Sequence, residues 1–495
     1  MRHLPHQNEK ALVIGSGIGG LSMAIILSYL GFAVTVIEKN RQPGGMLRSY
    51  VRRGIHCNVG LHYLGALDKG QVLRRLFDYL GITKNLPLKR MGVDAPVDRY
   101  YFTNAVDGPR QFDMPVGFDA YESRLKETFP KEQGAIDDFM ALLHQSAGEL
   151  DRLEFLFGNQ PMANLIDQTE PLWNVLEELG CSPGLKGVLG VPSFWIGVRP
   201  PRCPQFYHTM TLASYLFSAW RLESNGAHLV KVLVQRLTDL GGRVLCGQAV
   251  RRINVRGRHA TGLTLEDEEQ LDAPLVIGTV HPNVVVDLLG PENVKPSYRR
   301  KITGLVNTHG MFAVNAIVSA DAHKPLPYNM FSLKTDPDGA VDDVIYTQLR
   351  PSGRPEFLLL SLITGGYDKL WRPWEQTRSG YRGADYGAAK MALARSLIKE
   401  VEPVTGQLGG LEVIDTYTPL SIRDWVNSPN GSAYGVMRSD RQMLSAAFLN
   451  RTAVKGLYLA GQSVMAPGIL GTILGSLATA KFIVGPERFS KEVQL

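Results

Sequence analysis

Residues 10–38, KALVIGSGIGGLSMAIILSYLGFAVTVIE, place a strand, a glycine turn, a helix and a second strand in one unbroken run. Residues 11–14 form a short apolar segment of the kind that makes a buried parallel strand. Gly15, Gly17 and Gly20 follow in G-x-G-x-x-G spacing. In such a turn the first glycine makes the tight bend and the second lets backbone amides approach a pyrophosphate. The third allows the helix to pack closely on the sheet. The helix N-terminus then offers N–H groups and a positive dipole end to phosphate. Residues 33–37 read as the next strand, and Glu38 closes it where a carboxylate can accept the hydroxyls of an adenosine ribose. Strand, turn, helix, strand and acid in this order predict a bound dinucleotide.

The rest of the composition fits a large globular chain. Its 495 residues are 44% hydrophobic and 20% charged, enough for two or three lobes. The net charge of +6 is modest and scattered, which argues against a nucleic-acid partner. The cluster Arg251, Arg252, Arg256 and Arg258 reads as a solvated loop, although the excess is compatible with peripheral contact to an anionic membrane or an acidic carrier. Cys57, Cys181, Cys203 and Cys246 are far apart, so neither a metal site nor dithiol chemistry is expected. The polar start MRHLPHQNEK does not read as a signal peptide, and the expected location is the reducing cytoplasm. Two apolar stretches, the opening helix and residues 456–485, resemble membrane spans but are expected in the buried core.

Along the chain, Gly44 and Gly45 make a second close-approach turn. Helices are expected over 71–80, 118–129 and 226–240. Strands are expected over 244–253, 259–265 and 275–278, with a mixed, aromatic region over 70–200. GLYLAGQ reads as a last strand, and PGILGTILGSLATAKFIVG as a glycine-studded helix. Nucleotide-binding signals thus recur at the start, middle and end. The expected fold is α/β: a discontinuous Rossmann-like FAD-binding domain of the glutathione reductase type 2 (1–85, 222–290 and 440–495) plus an α+β substrate-binding domain (86–221 and 291–439). FAD is preferred over a nicotinamide because a long cofactor needs grips remote from the pyrophosphate turn. The positive end of a helix beginning near residues 468–472 could face the flavin edge where charge builds on reduction.

The block with E-K-x-x-x-P-G-G after the first strand pair resembles the flavin amine oxidase and phytoene desaturase superfamily. The resemblance implies that Gly15, Ser16, Gly17, Gly19 and Gly20 line the pyrophosphate and that Glu38, followed by Lys39, holds the ribose. It implies that Gly44, Gly45, Met46 and Leu47 run beside the ribityl chain and ring, and that the Val250 backbone meets the adenine. Within the superfamily, GLHYLG (60–65), RLKETFPKEQGAIDDFM (124–140), TPLSIRDWVNSPNGSAYG (418–435) and GLYLAGQSVMAPGILGTILGSL are similar to the retinol saturase and carotenoid isomerase branch. The last segment implies flavin contacts from Gly461, Gln462, Leu470, Gly471 and Thr472. The chain departs from the branch at Asn58, where an Asp is usual, at Ser463, again for Asp, and at LESNG (222–226), which replaces a Pro-x-Gly-Gly turn. These departures leave the flavin contacts in place and the substrate open.

No second G-x-G-x-x-G unit and no dithiol is present, so electrons are expected to pass to or from an external donor or acceptor, or the substrate itself. Flavin N5 carries the hydride chemistry, and the protein needs a dry channel and one proton donor or acceptor. His62 and Tyr63, beside the expected ring, are the catalytic candidates, each with the alternative of a purely structural role. Trp195, Phe206, His208 and Tyr434 are the candidate substrate contacts, within a stretch also rich in Phe194, Tyr207, Met210, Tyr215, Phe217 and Trp220. The expected activity is an FAD-dependent oxidoreductase acting on C–C double bonds of a lipophilic polyene, isoprenoid or acyl chain, by saturation, desaturation or isomerisation. The alternatives are a flavin amine oxidase and a non-catalytic flavin protein that binds polyenes.

Overall fold

In a computed structural model, residues 8–104, 108–157, 169–447 and 449–495 are described. Strand β1 (Lys10–Ile14), helix α1 (Ile18–Tyr29) and strand β2 (Ala33–Glu38) form the expected unit, with β1 and β2 parallel. They sit at the centre of a five-stranded sheet, all of whose pairings are parallel. Its order is Arg243–Cys246, β2, β1, Leu275–Gly278 and Leu457–Leu459. Three remote parts of the sequence therefore build one sheet, as the recurring nucleotide-binding signals imply.

Helix α1 is buried from Gly19 to Leu27, and it packs against the equally apolar helix Gly468–Val484. Ser476 Oγ donates to the Gly19 carbonyl at 3.1 Å, and the Ser22 and Ser476 hydroxyls lie 3.3 Å apart. A helix apolar all round needs such a partner on every side. The two stretches that resemble membrane spans bury each other, and among the described residues no helix is long and apolar enough to cross a membrane.

One expected strand is in fact two. Residues 244–253 break at Gly247, whose φ of 74° ends the strand Arg243–Cys246. The Gly247 N–H bonds to the Asn40 carbonyl and the Gln248 N–H to the Glu38 carbonyl, each at 2.9 Å. The chain then starts a separate three-stranded antiparallel sheet of Val250–Arg256, His259–Leu265 and Gln270–Asp272. This turn brings Val250 to the tip of β2.

A seven-stranded mixed sheet carries the second lobe, in the order Glu412–Tyr417, Met311–Ser319, Phe357–Gly365, Val341–Pro351, Asn329–Thr335, Asp98–Phe102 and Gln111–Met114. Asp98–Phe102 pairs parallel with Asn329–Thr335, in register Asp98 to Asn329. The region expected to be mixed, 70–200, holds both strands and helices: Gln133–Arg152 and shorter helices pack, with Gln205–Phe217 from just beyond it, over the 98–114 end of this sheet. A parallel sheet with flanking helices beside a mixed sheet with its own helical cover is the expected α/β plus α+β architecture.

Candidate active site

The glycine turn after β1 has the shape its spacing predicts. Gly15 has φ 97°, and a Cβ on Gly20 would collide with the Gly15 carbonyl oxygen. A Cβ on Gly19 would come within 2.9 Å of Gly461 Cα, and one on Gly45 within 3.1 Å of Gly17 Cα. The turn is thus backed by the two other glycine segments singled out from the sequence. Gly20, Gly44 and Gly461 support it from behind rather than facing the cavity it opens into. Gly44, at φ 121°, donates its N–H to Ser16 Oγ at 3.1 Å.

Glu38, at the tip of β2, is buried. One carboxylate oxygen accepts from the Ser16 N–H at 3.1 Å and the Ser16 hydroxyl at 2.6 Å. The other accepts from the Asn40 N–H at 2.9 Å and side chain at 2.7 Å. The Lys39 ammonium turns to the Asp424 carbonyl at 2.8 Å and Asn427 Oδ1 at 3.1 Å, and burial holds its pKa below the usual lysine value. Arg48 and Asn40 both donate to the Trp425 carbonyl. The last turn of helix Pro419–Val426, with Asn427 just beyond it, therefore closes over the tip of β2, which the sequence reading missed.

These residues line one continuous cavity of about 680 Å³, within the range of small-molecule sites. From Glu38, Lys39 and Val250 it passes Gly15, Ser16, Gly17 and Gly19, then Met46, Leu47 and Gln462. The first turn of helix Gly468–Val484 contributes Leu470, Gly471 and Thr472. The glycine cradle, the acid at the strand tip and two helix N-termini aimed at one channel fit an extended dinucleotide with a second ring system at the far end.

That far end is aromatic. Tyr63 stands with its ring centroid 4.7 Å from Tyr215 and parallel to Tyr346 at 6.5 Å. Trp195 meets Tyr215 at 4.8 Å. Phe194, Phe206, Tyr207, Met210 and Tyr434 line the same chamber. Phe217 and Trp220 do not: both pack in the hydrophobic core, and the Trp220 indole N–H bonds to Asp68 and Ser218. His208 is also misplaced by the sequence reading. Its side chain is fully buried among the helices, with Nε2 2.7 Å from the Leu189 carbonyl, and it lies off the cavity wall. Helical periodicity turns it inward while its neighbours Phe206, Tyr207 and Met210 reach the chamber.

The two catalytic candidates differ in chemistry. His62 lies in the wall, 5.2 Å from the Tyr346 ring. Burial, helped by the positive charges of Arg350 and Arg221, pushes its pKa down to about 3, so at neutral pH it has no imidazolium proton to give. The Tyr63 hydroxyl lies 3.1 Å from Oδ2 of Asp98, a fully buried carboxyl that the sequence reading also missed. Its one local signal is an acidic residue opening the strand DRYYF, which ends in an aromatic run.

The family model for flavin-containing amine oxidoreductases matches residues 18–481. The chain is 24% identical to all-trans-retinol 13,14-reductase of Danio rerio, over 96% of this chain and 86% of that protein. It is also 24% identical to a chloroplastic prolycopene isomerase 2 of an Oncidium hybrid cultivar, over 97% and 85%. Among solved structures, putrescine oxidase with putrescine bound shares the fold, with a TM-score of 0.65 at 14% identity over 96% of this chain and 99% of that one. With a cavity shaped for an extended flavin dinucleotide and a family match over nearly its whole length, the chain belongs to the flavin-containing amine oxidoreductase family and is an FAD-dependent oxidoreductase.

Proposed function

We propose that this protein exchanges hydride equivalents between its flavin and a C–C double bond of a long lipophilic polyene, isoprenoid or acyl chain, with saturation, desaturation or isomerisation as the net result. The observation that carries this reading is the aromatic chamber at the inner end of the cofactor channel, walled by Tyr63, Trp195, Tyr215, Tyr346 and Tyr434. Such walls stack on a conjugated chain and exclude water from the reacting carbons. The names of the retinol reductase and prolycopene isomerase relatives point the same way. In this reading, segments 1–85, 222–290 and 440–495 hold the FAD, segments 86–221 and 291–439 hold the substrate, and an external donor or acceptor balances the electrons. The protein works in the cytoplasm and meets its substrate at a membrane or carrier surface.

An amine substrate is the second reading, because aromatic walls also suit a cation. The electrostatics oppose it. Arg221 and Arg350 both bear on His62, and a protonated amine approaching that wall meets the same repulsion that depresses the imidazole. Anaerobic photoreduction of the bound flavin, followed by candidate polyenes, separates the readings. Re-oxidation by a polyene supports saturation, and altered polyene geometry without net re-oxidation supports isomerisation. Reduction of the oxidised enzyme by amines, with no response to any polyene, overturns the proposal. Polyene binding without either change identifies a non-catalytic binder.

A further inference from the structure

Asp98 is 0% exposed and belongs to no ion pair among the described residues. It opens strand Asp98–Phe102 directly beside Asn329 of the neighbouring parallel strand. The orientation of the Asn329 carboxamide is fixed by its surroundings. Its oxygen lies 2.7 Å from Arg221 Nη2 and 2.9 Å from the Tyr346 hydroxyl, both donors. The Gln348 amide adds a longer donation at 3.4 Å. The Asn329 NH₂ must therefore face Asp98, and it donates to Oδ1 at 2.7 Å. With Oδ1 already accepting, a proton on this carboxyl has one place to sit: Oδ2, 3.1 Å from the Tyr63 oxygen. Tyr63 in turn forms part of the chamber wall.

We propose that Asp98 stores the proton exchanged with the substrate and passes it through Tyr63, so that the buried strand pair supplies the proton half of the double-bond reaction. The inference rests on the polyene reading above. Saturation needs a hydride at one carbon and a proton at the other, and reduced flavin is the source of the hydride. The Tyr63 O–H bond breaks as the second C–H bond forms, and the phenolic oxygen takes the proton from Asp98 Oδ2. Asp98 is left as a carboxylate, stabilised by the Asn329 NH₂ and by the charge of Arg221 beyond it. Desaturation moves the same proton the other way. The remaining groups bearing on Asp98 are the phenols of Tyr100, Tyr215 and Tyr346, which are neutral. Burial, opposed by the Asn329 and Tyr63 hydrogen bonds and by Arg221, raises the Asp98 pKa to about 7. A group poised there can both give and take a proton at neutral pH.

The test combines infrared titration with flavin re-oxidation, on the holoenzyme. In the wild type, a carboxylic acid C=O band should persist to near-neutral pH. It should vanish in Asp98→Asn and shift in frequency in Tyr63→Phe. In the photoreduced enzyme, Tyr63→Phe and Asp98→Asn should slow polyene-dependent re-oxidation by roughly a hundred-fold or more, while flavin binding and dithionite reduction are unchanged. Absence of a protonated carboxyl band above pH 5 overturns the proton store, whatever the substrate is. Re-oxidation of Tyr63→Phe at the wild-type rate overturns the relay alone. A wild-type enzyme whose reduced flavin no polyene re-oxidises, and which neither desaturates nor isomerises any polyene, overturns the polyene reading, and with it the destination assigned to the proton.

Discussion

At the scale of single residues, the cofactor channel concentrates its demands on a few positions. Glu38 is the clearest, because each oxygen accepts two hydrogen bonds and the carboxylate still faces the cavity. Glu38→Gln keeps the shape but replaces one acceptor oxygen by a donor and removes the charge. Charge-assisted hydrogen bonds are worth about 1.5–3 kcal/mol, so FAD affinity should fall by roughly 10- to 150-fold. Titrating the flavin-free protein with FAD by fluorescence checks this, and an unchanged affinity would remove Glu38 from the cofactor contacts. Gly20 makes a different demand. Its missing Cβ is what allows α1 to close on the Gly15 carbonyl and Thr279. Gly20→Ala should therefore lose soluble, flavin-loaded protein altogether rather than weaken binding by degrees, as a yellow-fraction yield would record.

At the scale of elements, the sequence and the structure agree where the signal is local. The β1–turn–α1–β2 unit, the helix Gly226–Asp239 and the last strand and helix all carry their turn and cap residues beside them. Even the unusual LESNG turn does the work of the glycine pair it replaces. Asn225 caps the helix through the His228 N–H at 3.2 Å, and Gly226 lets the helix close on the Leu47 carbonyl. What was not legible is assembled by pairing over distance. Asp98 and Asn329 stand 231 positions apart, and no periodicity announces that two strands will set them side by side. The clamp from Asp424 to Asn427 onto Lys39 spans more than 380 positions and depends on the same kind of encounter. The packing of helix Gly468–Val484 is likewise a matter of backbone approach. A Cβ on Gly475 would lie 2.5 Å from the Gly461 carbonyl oxygen, so Gly475→Ala must lift the helix off the glycine turn it buttresses. The expected result is a loss of about 2–3 kcal/mol, the scale of overpacked cores, together with weaker flavin retention on gel filtration. An alanine variant of wild-type stability would show that the two segments are not in contact.

At the scale of the whole molecule, buried titratable groups link stability to pH in opposing directions. His208 and His281 are buried, and desolvation pushes each pKa down to about 4. Their contribution to stability is fully present above the unfolded histidine value, about 6.5, and is lost as pH falls through the folded value. His62, pushed down to about 3, acts on the same side. Asp98 acts against them. Its folded pKa is raised to about 7, so its contribution is fully present below the unfolded carboxyl value, about 3.9, and is lost as pH rises through neutrality. Between pH 4.5 and 6.5 the histidines therefore make the protein more stable as pH rises, while Asp98 offsets part of that gain. Asp98→Asn removes the offset. The variant should gain stability with rising pH more steeply than the wild type, by up to about 1.4 kcal/mol per pH unit, the free energy of one proton. The two curves should run parallel again above pH 8, where Asp98 is ionised in both states. Urea midpoints at intervals across this range decide the matter. Curves that stay parallel from pH 4.5 to 6.5 would mean that Asp98 is already a carboxylate in the folded protein, and the proton it is proposed to hold would have no seat there.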